Sequence, residues 1–323
     1  FSSDTLPLKR APPGPAWPAE RAAPTLPVRA FVGVESVGLR RELRYGLTFV
    51  SPAIVFFLLF WILPVLLAAG YSLTDWTVGR SASWVGLENY LDLFTDPRFH
   101  QSLLATLKIT LPALLGTCGL AFVLALLLDD EKLRGKRVIM LVVILPFVTD
   151  WVATGLVWQL IYLPNSGVLA GIFSQLGLRE WVSLRWTTSR QLAPLAIALF
   201  TIWKTTGLYA MIFLAGLKGV PRSQVEAAQV DGANFWQSLV FVTLPLMRPL
   251  VVFVIVSAFV SIVGFFEPVF MLTGGGPADA TRTLTLFLYE NFFQFHNGGA
   301  ASAAGMVFLL LCLGFALIAA RFL

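Results

Sequence analysis

Six long apolar runs constrain this chain more than any other feature. They cover about 46–70, 103–128, 138–162, 192–217, 248–272 and 300–320, and each is nearly free of charge. Crossing the hydrocarbon core of a bilayer takes about 20 mostly apolar residues in helical form. A buried strand is much shorter, and helices satisfy their own backbone polar groups in lipid. The pattern predicts an all-α, polytopic membrane protein with six transmembrane helices. Pro52, Pro64, Pro112, Pro146 and Pro194 fall within or near span ends, where neighbouring helices can cover the carbonyls a proline frees.

The rest of the composition agrees. Only 13% of residues are charged and 57% are hydrophobic, with a mean hydropathy of +0.78; a soluble domain carries roughly 25% charged residues. The net charge of +5 does not point to nucleic acid, because the basic residues lie between the apolar runs rather than in a groove with interleaved aromatics. Cys118 and Cys312 both fall inside spans, which argues against a structural disulfide. His100 and His296 lie far apart without ligand-type neighbours, so no metal site is expected.

Two regions are expected. Residues 1–45 hold seven prolines in their first 27 positions and read as a flexible tail. The tail is not a secretory signal, since it has no apolar core before a small-residue cleavage site. The chain opens on Phe1, which suggests numbering that starts inside a longer chain or after processing. Residues 46–323 form the six-span domain. Lys and Arg number 15 in the tail, 129–137, 218–248 and the C-terminus, against six in the alternate loops. That bias places both termini in the cytoplasm.

The segment between spans four and five, 218–249, is unusually long for a connection, and long loops are commonly functional. Val225–Val230 has helical composition, Asp231-Gly232-Ala233 is a turn signal, and Phe235–Val242 resumes as an amphipathic helix that Pro245 and Pro249 are expected to end. The product is a cytoplasmic helix pair offering an apolar knob to a partner's groove.

Here the chain resembles a known family. Glu226-Ala227-Ala228, Asp231-Gly232-Ala233 and Leu244-Pro245 are similar to the coupling motif of binding-protein-dependent ABC importer permeases. Further segments resemble the carbohydrate branch of that family, the maltose, glycerol-phosphate and trehalose type. They are Val85–Tyr90 with Asp96–Phe99, Trp203–Thr206, Leu272–Pro277 and Asn297–Ala301. The Leu-Thr-Gly-Gly-Gly-Pro segment is typical of the first of two unlike permease subunits, and the likeness covers roughly 45–323.

The resemblance implies a permease that moves a sugar, first a disaccharide, across a bacterial or archaeal cytoplasmic membrane. It implies a second permease chain, two ATP-binding subunits and an extracytoplasmic binding protein. Glu226 would pair with a basic residue of the ATPase, Gly232 would allow the tight turn, and Ala227 and Ala228 would permit close approach. No GxxxxGK[ST] pattern occurs in the chain. ATP and Mg would therefore be used by the partner ATPases, and this chain is expected to be a transport subunit rather than an enzyme. Glycerol phosphates or another polar solute are alternative cargoes. An ion-coupled secondary transporter is a further alternative, but it would need internal repeats and leaves the helix pair without a role.

Candidate pathway residues follow from cost. An ionisable side chain within a span costs about 2.5–3.5 kcal/mol at its centre, and Asp150, Lys204 and Glu267 stand out. Counted along their spans, Asp150 and Lys204 share a depth of about 18–20 Å from the cytoplasmic edge. They are expected to approach each other or to face one polar cavity, either as a site for substrate or as a lock between helices. Glu267 precedes Pro268, where a break is expected near the outer third. Trp203, Tyr209, Phe265 and Phe266 could stack on a sugar, and Thr205 and Thr206 could bond its hydroxyls. Trp151, Trp158 and Tyr162 read as packing or belt residues. The small residues of Gly298–Gly305 read as a close-packing face, against a partner permease or within the subunit.

Overall fold

A computed structural model describes residues 45–77, 79–130 and 132–321. The tail expected over 1–45 lies, save Tyr45, outside the described residues. The chain divides at Leu63/Pro64 into two units. The first apolar helix, α1 (Tyr45–Tyr71), runs across that boundary. It carries a π turn at Leu58–Ile62 immediately before Leu63-Pro64. The wider turn passes its hydrogen bond from Leu63 N–H to the Leu58 carbonyl, and Pro64, which has no N–H, opens the α-register that follows.

The regular structure in the described residues of the second unit, Pro64–Leu323, is helical apart from two isolated bridges, with irregular connections between the helices. Its elements are α2 (Glu88–Thr95), α3 (Pro97–Asp129), α4 (Lys136–Val148), α5 (Trp151–Ile161), α6 (Val168–Gln175) and α7 (Ala193–Gly219). They continue with α8 (Arg222–Val230), α9 (Phe235–Leu246), α10 (Arg248–Val263), α11 (Glu267–Leu272), α12 (Leu284–Tyr289) and α13 (Gly298–Ala320). Four helices, α1, α3, α7 and α13, are long and apolar enough to cross a membrane. The pairs α4–α5 and α9–α10 bring the number to six if each bent pair is one span.

Helix α7 is the axis of this unit. It packs along α3, where Ala113, Ala121 and Ala125 are buried beside Ala210, Phe213 and Leu214. Small residues let helices approach closely, which in lipid replaces the hydrophobic drive of water. The closest approach is to α4: a Cβ on Gly207 would stand 2.0 Å from the Val143 carbonyl oxygen. Apolar side chains such as Leu115, Leu141 and Leu310 face outward, as a lipid-exposed surface requires.

Three readings of the sequence are corrected. The run 138–162 is not one helix: α4 and α5 meet at 101° across Thr149-Asp150. The Asp150 carboxylate accepts the N–H of Ala153 at 2.8 Å, so it starts a new helix and stops the old one. The run 248–272 is interrupted as expected, but at Gly264–Phe266, just ahead of Glu267, rather than at Pro268. Pro268 falls in the first turn of α11, where its missing N–H costs nothing. Lastly, Pro245 does not end the second helix of the 218–249 segment. A π turn at Leu239–Thr243 precedes Leu244-Pro245, as at Pro64, and the helix runs to Leu246. The chain bends by 75° only at Met247, and Pro249 sits in the first turn of α10.

Candidate functional site

The helix pair α8–α9 is built by local chemistry. Gly232 adopts φ +88°, open to glycine and strained for other residues. Ala233 N–H reaches back to the Ala228 carbonyl at 2.9 Å and closes the end of α8. Asn234 then starts α9 with a reciprocal capping box: its side chain accepts the N–H of Gln237, and the Gln237 side chain accepts its N–H. The turn is therefore held from both sides. Its tip exposes Val230 at 87%, Phe235 at 60% and Trp236 at 67%. Glu226, Ala227 and Asp231 are exposed beside them and Ala228 is half-buried. A contiguous exposed apolar tip on a short rigid turn has the form of an interaction surface.

Deeper in the unit lies Lys204, wholly buried on α7. Its ammonium donates to the carbonyl of Thr149, to Thr149 Oγ1 at 2.9 Å, to the Asp150 carbonyl at 3.3 Å and to Thr154 Oγ1 at 3.3 Å. It also stands 5.1 Å from the centre of the Trp151 ring. The last carbonyls of a helix have no partner within it, and in lipid no water replaces one. Lys204 serves that of Thr149 at the α4–α5 break and adds to the bonds that Thr154 N–H and Oγ1 already give the Asp150 carbonyl. Asp150 meets Lys204 through its backbone, while its carboxylate is turned to Ala153.

The remaining candidates divide into two groups. Thr205 pairs with Thr117 on α3 at 3.0 Å and donates to the Thr201 carbonyl, Thr206 donates to the Ile202 carbonyl, and Tyr209 lies 3.4 Å from Ser261 Oγ. All three are buried between helices. Trp203 is 40% exposed and forms a cluster with Trp158 and Phe200. At the α10–α11 break, Phe265 packs on Trp151 with ring centres 4.5 Å apart, and Phe266 on Phe270 and Tyr289 at 4.9 and 4.8 Å. Phe266 also faces an open groove of about 450 Å³ shared with Thr285, Tyr289, Phe293 and Ser302. Glu267 is half-buried at the start of α11.

Sequence reasoning missed Thr149, Thr154, Ser261 and Tyr289. Only Thr149-Asp150 carried a signal, because Asp ahead of an apolar run is a helix-start pattern. The small-residue start of α13 packs within the subunit. A Cβ on Gly298 would meet the Trp76 ring at 2.2 Å, and Gly299 N–H donates to the Trp76 carbonyl at 2.9 Å. Among the described residues no group of three His, Cys, Asp or Glu gathers to hold a metal ion.

Comparison with known proteins places this architecture. Residues 30–322 match the family described as binding-protein-dependent transport system inner membrane component. The chain is 30% identical over 281 residues to the trehalose/maltose transport system permease protein MalF of Thermococcus litoralis, covering 86% of this chain and 93% of that protein. It is 33% identical over 278 residues to a probable ABC transporter permease protein of Pyrococcus horikoshii, covering 84% and 93%. The diacetylchitobiose uptake system permease protein NgcF of Streptomyces coelicolor is 29% identical over 292 residues, covering 86% and 83%. Among solved structures, a chain of a bacterial alginate ABC transporter, in complex with an alginate pentasaccharide-bound periplasmic protein, superposes with a TM-score of 0.73. It is 23% identical, covers 87% of this chain and 93% of that one, and shares the fold. With its apolar helices, its two bent pairs and nearly its whole length accounted for, the chain belongs to the family of binding-protein-dependent transport system inner membrane components.

Proposed function

We propose that this chain is one of two unlike permease subunits of an ATP-driven importer, carrying a disaccharide or related carbohydrate handed over by an extracytoplasmic binding protein. Relatives named for trehalose/maltose and diacetylchitobiose uptake support the cargo class. The Lys and Arg bias supports cytoplasmic termini and a cytoplasmic face for the α8–α9 pair, in a bacterial or archaeal cytoplasmic membrane. ATP and Mg then belong to two partner ATPase subunits, and this chain performs no chemistry of its own.

The observation that carries the reading is the rigid, exposed tip formed by Val230, Phe235 and Trp236 around Gly232. It suits a cleft on an ATPase, with Glu226 meeting a basic side chain at the rim and Ala227 and Ala228 allowing close approach. Closure of that cleft on nucleotide would push the pair. The push reaches α7 through Val220 and α10 through the bend at Met247. Leu244-Pro245 stiffens the second arm. On the pathway side, Phe266 in its groove offers an aromatic face to a pyranose ring, Thr285 and Ser302 offer hydroxyls, and Glu267 and Phe265 border the same break. Trp203, part-exposed beside Trp158 and Phe200, offers a second aromatic face away from that groove, and Tyr209 packs between the helices. Lys204, Asp150, Thr205 and Thr206 hold the helices that frame it.

The test is co-purification of the chain with its ATPase, then uptake of labelled trehalose or maltose into proteoliposomes. The reading expects ATP-dependent uptake that Glu226→Ala abolishes while assembly persists. Retention of no ATPase, or uptake driven by an ion gradient alone, would overturn it.

A further inference from the structure

Behind the α8–α9 pair, between it and the helix ends of α3, α4 and α7, lies a cavity of about 630 Å³. Lys136, Lys218 and Arg222 bring three cations to it, and Asp129 and Glu226 two carboxylates. Ser238 also lines it, 4% exposed, and its Oγ has no hydrogen-bond partner. A buried hydroxyl left unpaired costs about 1–3 kcal/mol, so an orphan facing a cavity marks a place for a polar ligand atom. The α4 helix begins at the same place, at Lys136, without a side-chain cap.

The location selects the ligand. Asp129 closes one apolar helix, Lys136 opens another and Lys218 stands in the last turn of a third. That level is the edge of the hydrocarbon, where lipid phosphates lie, and basic pockets between helices there take headgroups. We propose that this cavity is a phosphate site occupied by the headgroup of a membrane phospholipid. Lys136 and Lys218 bind the phosphodiester, Ser238 Oγ donates to it, and the Asp129 carboxylate accepts the amine of an ethanolamine headgroup. The lipid would then wedge the helix pair against the bundle.

The experiment is native mass spectrometry of the purified complex, followed by titration of the delipidated complex with short-chain phosphatidylethanolamine or with inorganic phosphate. A retained phospholipid is expected on wild type. Affinity should fall about tenfold or more in the Lys136→Gln/Lys218→Gln double variant, as two charge-assisted hydrogen bonds are lost. Ser238→Ala should weaken it more mildly, and Lys132→Gln, on the neighbouring loop but outside the cavity, should leave it unchanged. Gel filtration and helix content establish that each variant is folded. Equal lipid retention in wild type and the double variant overturns the site. Displacement of the lipid by millimolar inorganic phosphate overturns the lipid as its occupant. The readout is binding, not uptake, so its failure leaves the transport reading untouched.

Discussion

Lys204 Nζ lies 2.9 Å from Thr149 Oγ1, at the point where the third apolar run turns through 101°. One buried ammonium thus serves the backbone oxygens that the turn releases. Lys204→Met removes the ammonium and leaves the Thr149 carbonyl without a donor, while the Asp150 carbonyl keeps the N–H and Oγ1 of Thr154. A loss of about 1–3 kcal/mol is expected, from one unsatisfied buried carbonyl. Thermal unfolding of the detergent-purified complex measures it. An unchanged melting temperature combined with lost uptake would instead make Lys204 a substrate residue.

Gly207 is held to glycine by the Val143 carbonyl, 2.0 Å from where a Cβ would stand. Gly207→Ala must push α4 away from α7, and overpacking of this kind costs about 1–3 kcal/mol. Because α4 ends at the Lys204 contact, the shift should also loosen that contact. Thermal melting of the single and double variants with Lys204→Met should show losses that do not add.

At the tip of the helix pair, Gly232→Val places a β-branched residue at φ +88°. A left-handed conformation costs an ordinary residue about 1–2 kcal/mol. The spans do not depend on this turn, so folding should survive while the tip changes shape. Retention of the ATPase on affinity purification should fall, with the melting temperature nearly constant. Gly232→Asn, better tolerated in this region, should fall between the two.

The capping box isolates another contribution. Asn234→Ala removes the acceptor for Gln237 N–H and should weaken the start of α9 by about 1 kcal/mol. Hydrogen exchange should quicken at Phe235–Ser238 and stay unchanged within α10. Quickening that spreads through α10 would mean that the bend at Met247 does not insulate the two helices.

Much of the fold was legible in the residues alone. Hydropathy sums over neighbours, so α1, α7 and α13 lie within about two residues of the apolar runs, whereas α3 starts six residues earlier, at Pro97, in a polar turn that hydropathy does not register. The turn at Asp231-Gly232 was legible because its strain and its punctuation are local. The breaks were harder. At Thr149-Asp150 the apolar average hides a helix start in its middle, and at Gly264–Phe266 the proline marked the beginning of the next helix rather than the end of the last. Pro64 and Pro245 misled in the opposite direction, since a π turn ahead of each let the helix continue.

By itself the sequence determined that this chain lives in lipid, that a helix pair follows its fourth apolar run, and which family it resembles. Each of these depends on residue type and on spacing over a turn or two. Only the tertiary structure decided that Lys204 satisfies a helix end 55 residues away, that Gly207 must lack a side chain, and that Ser238 faces a charged cavity. Those facts depend on which distant helices touch, and no local pattern records the distance between two surfaces that meet only after the chain has packed.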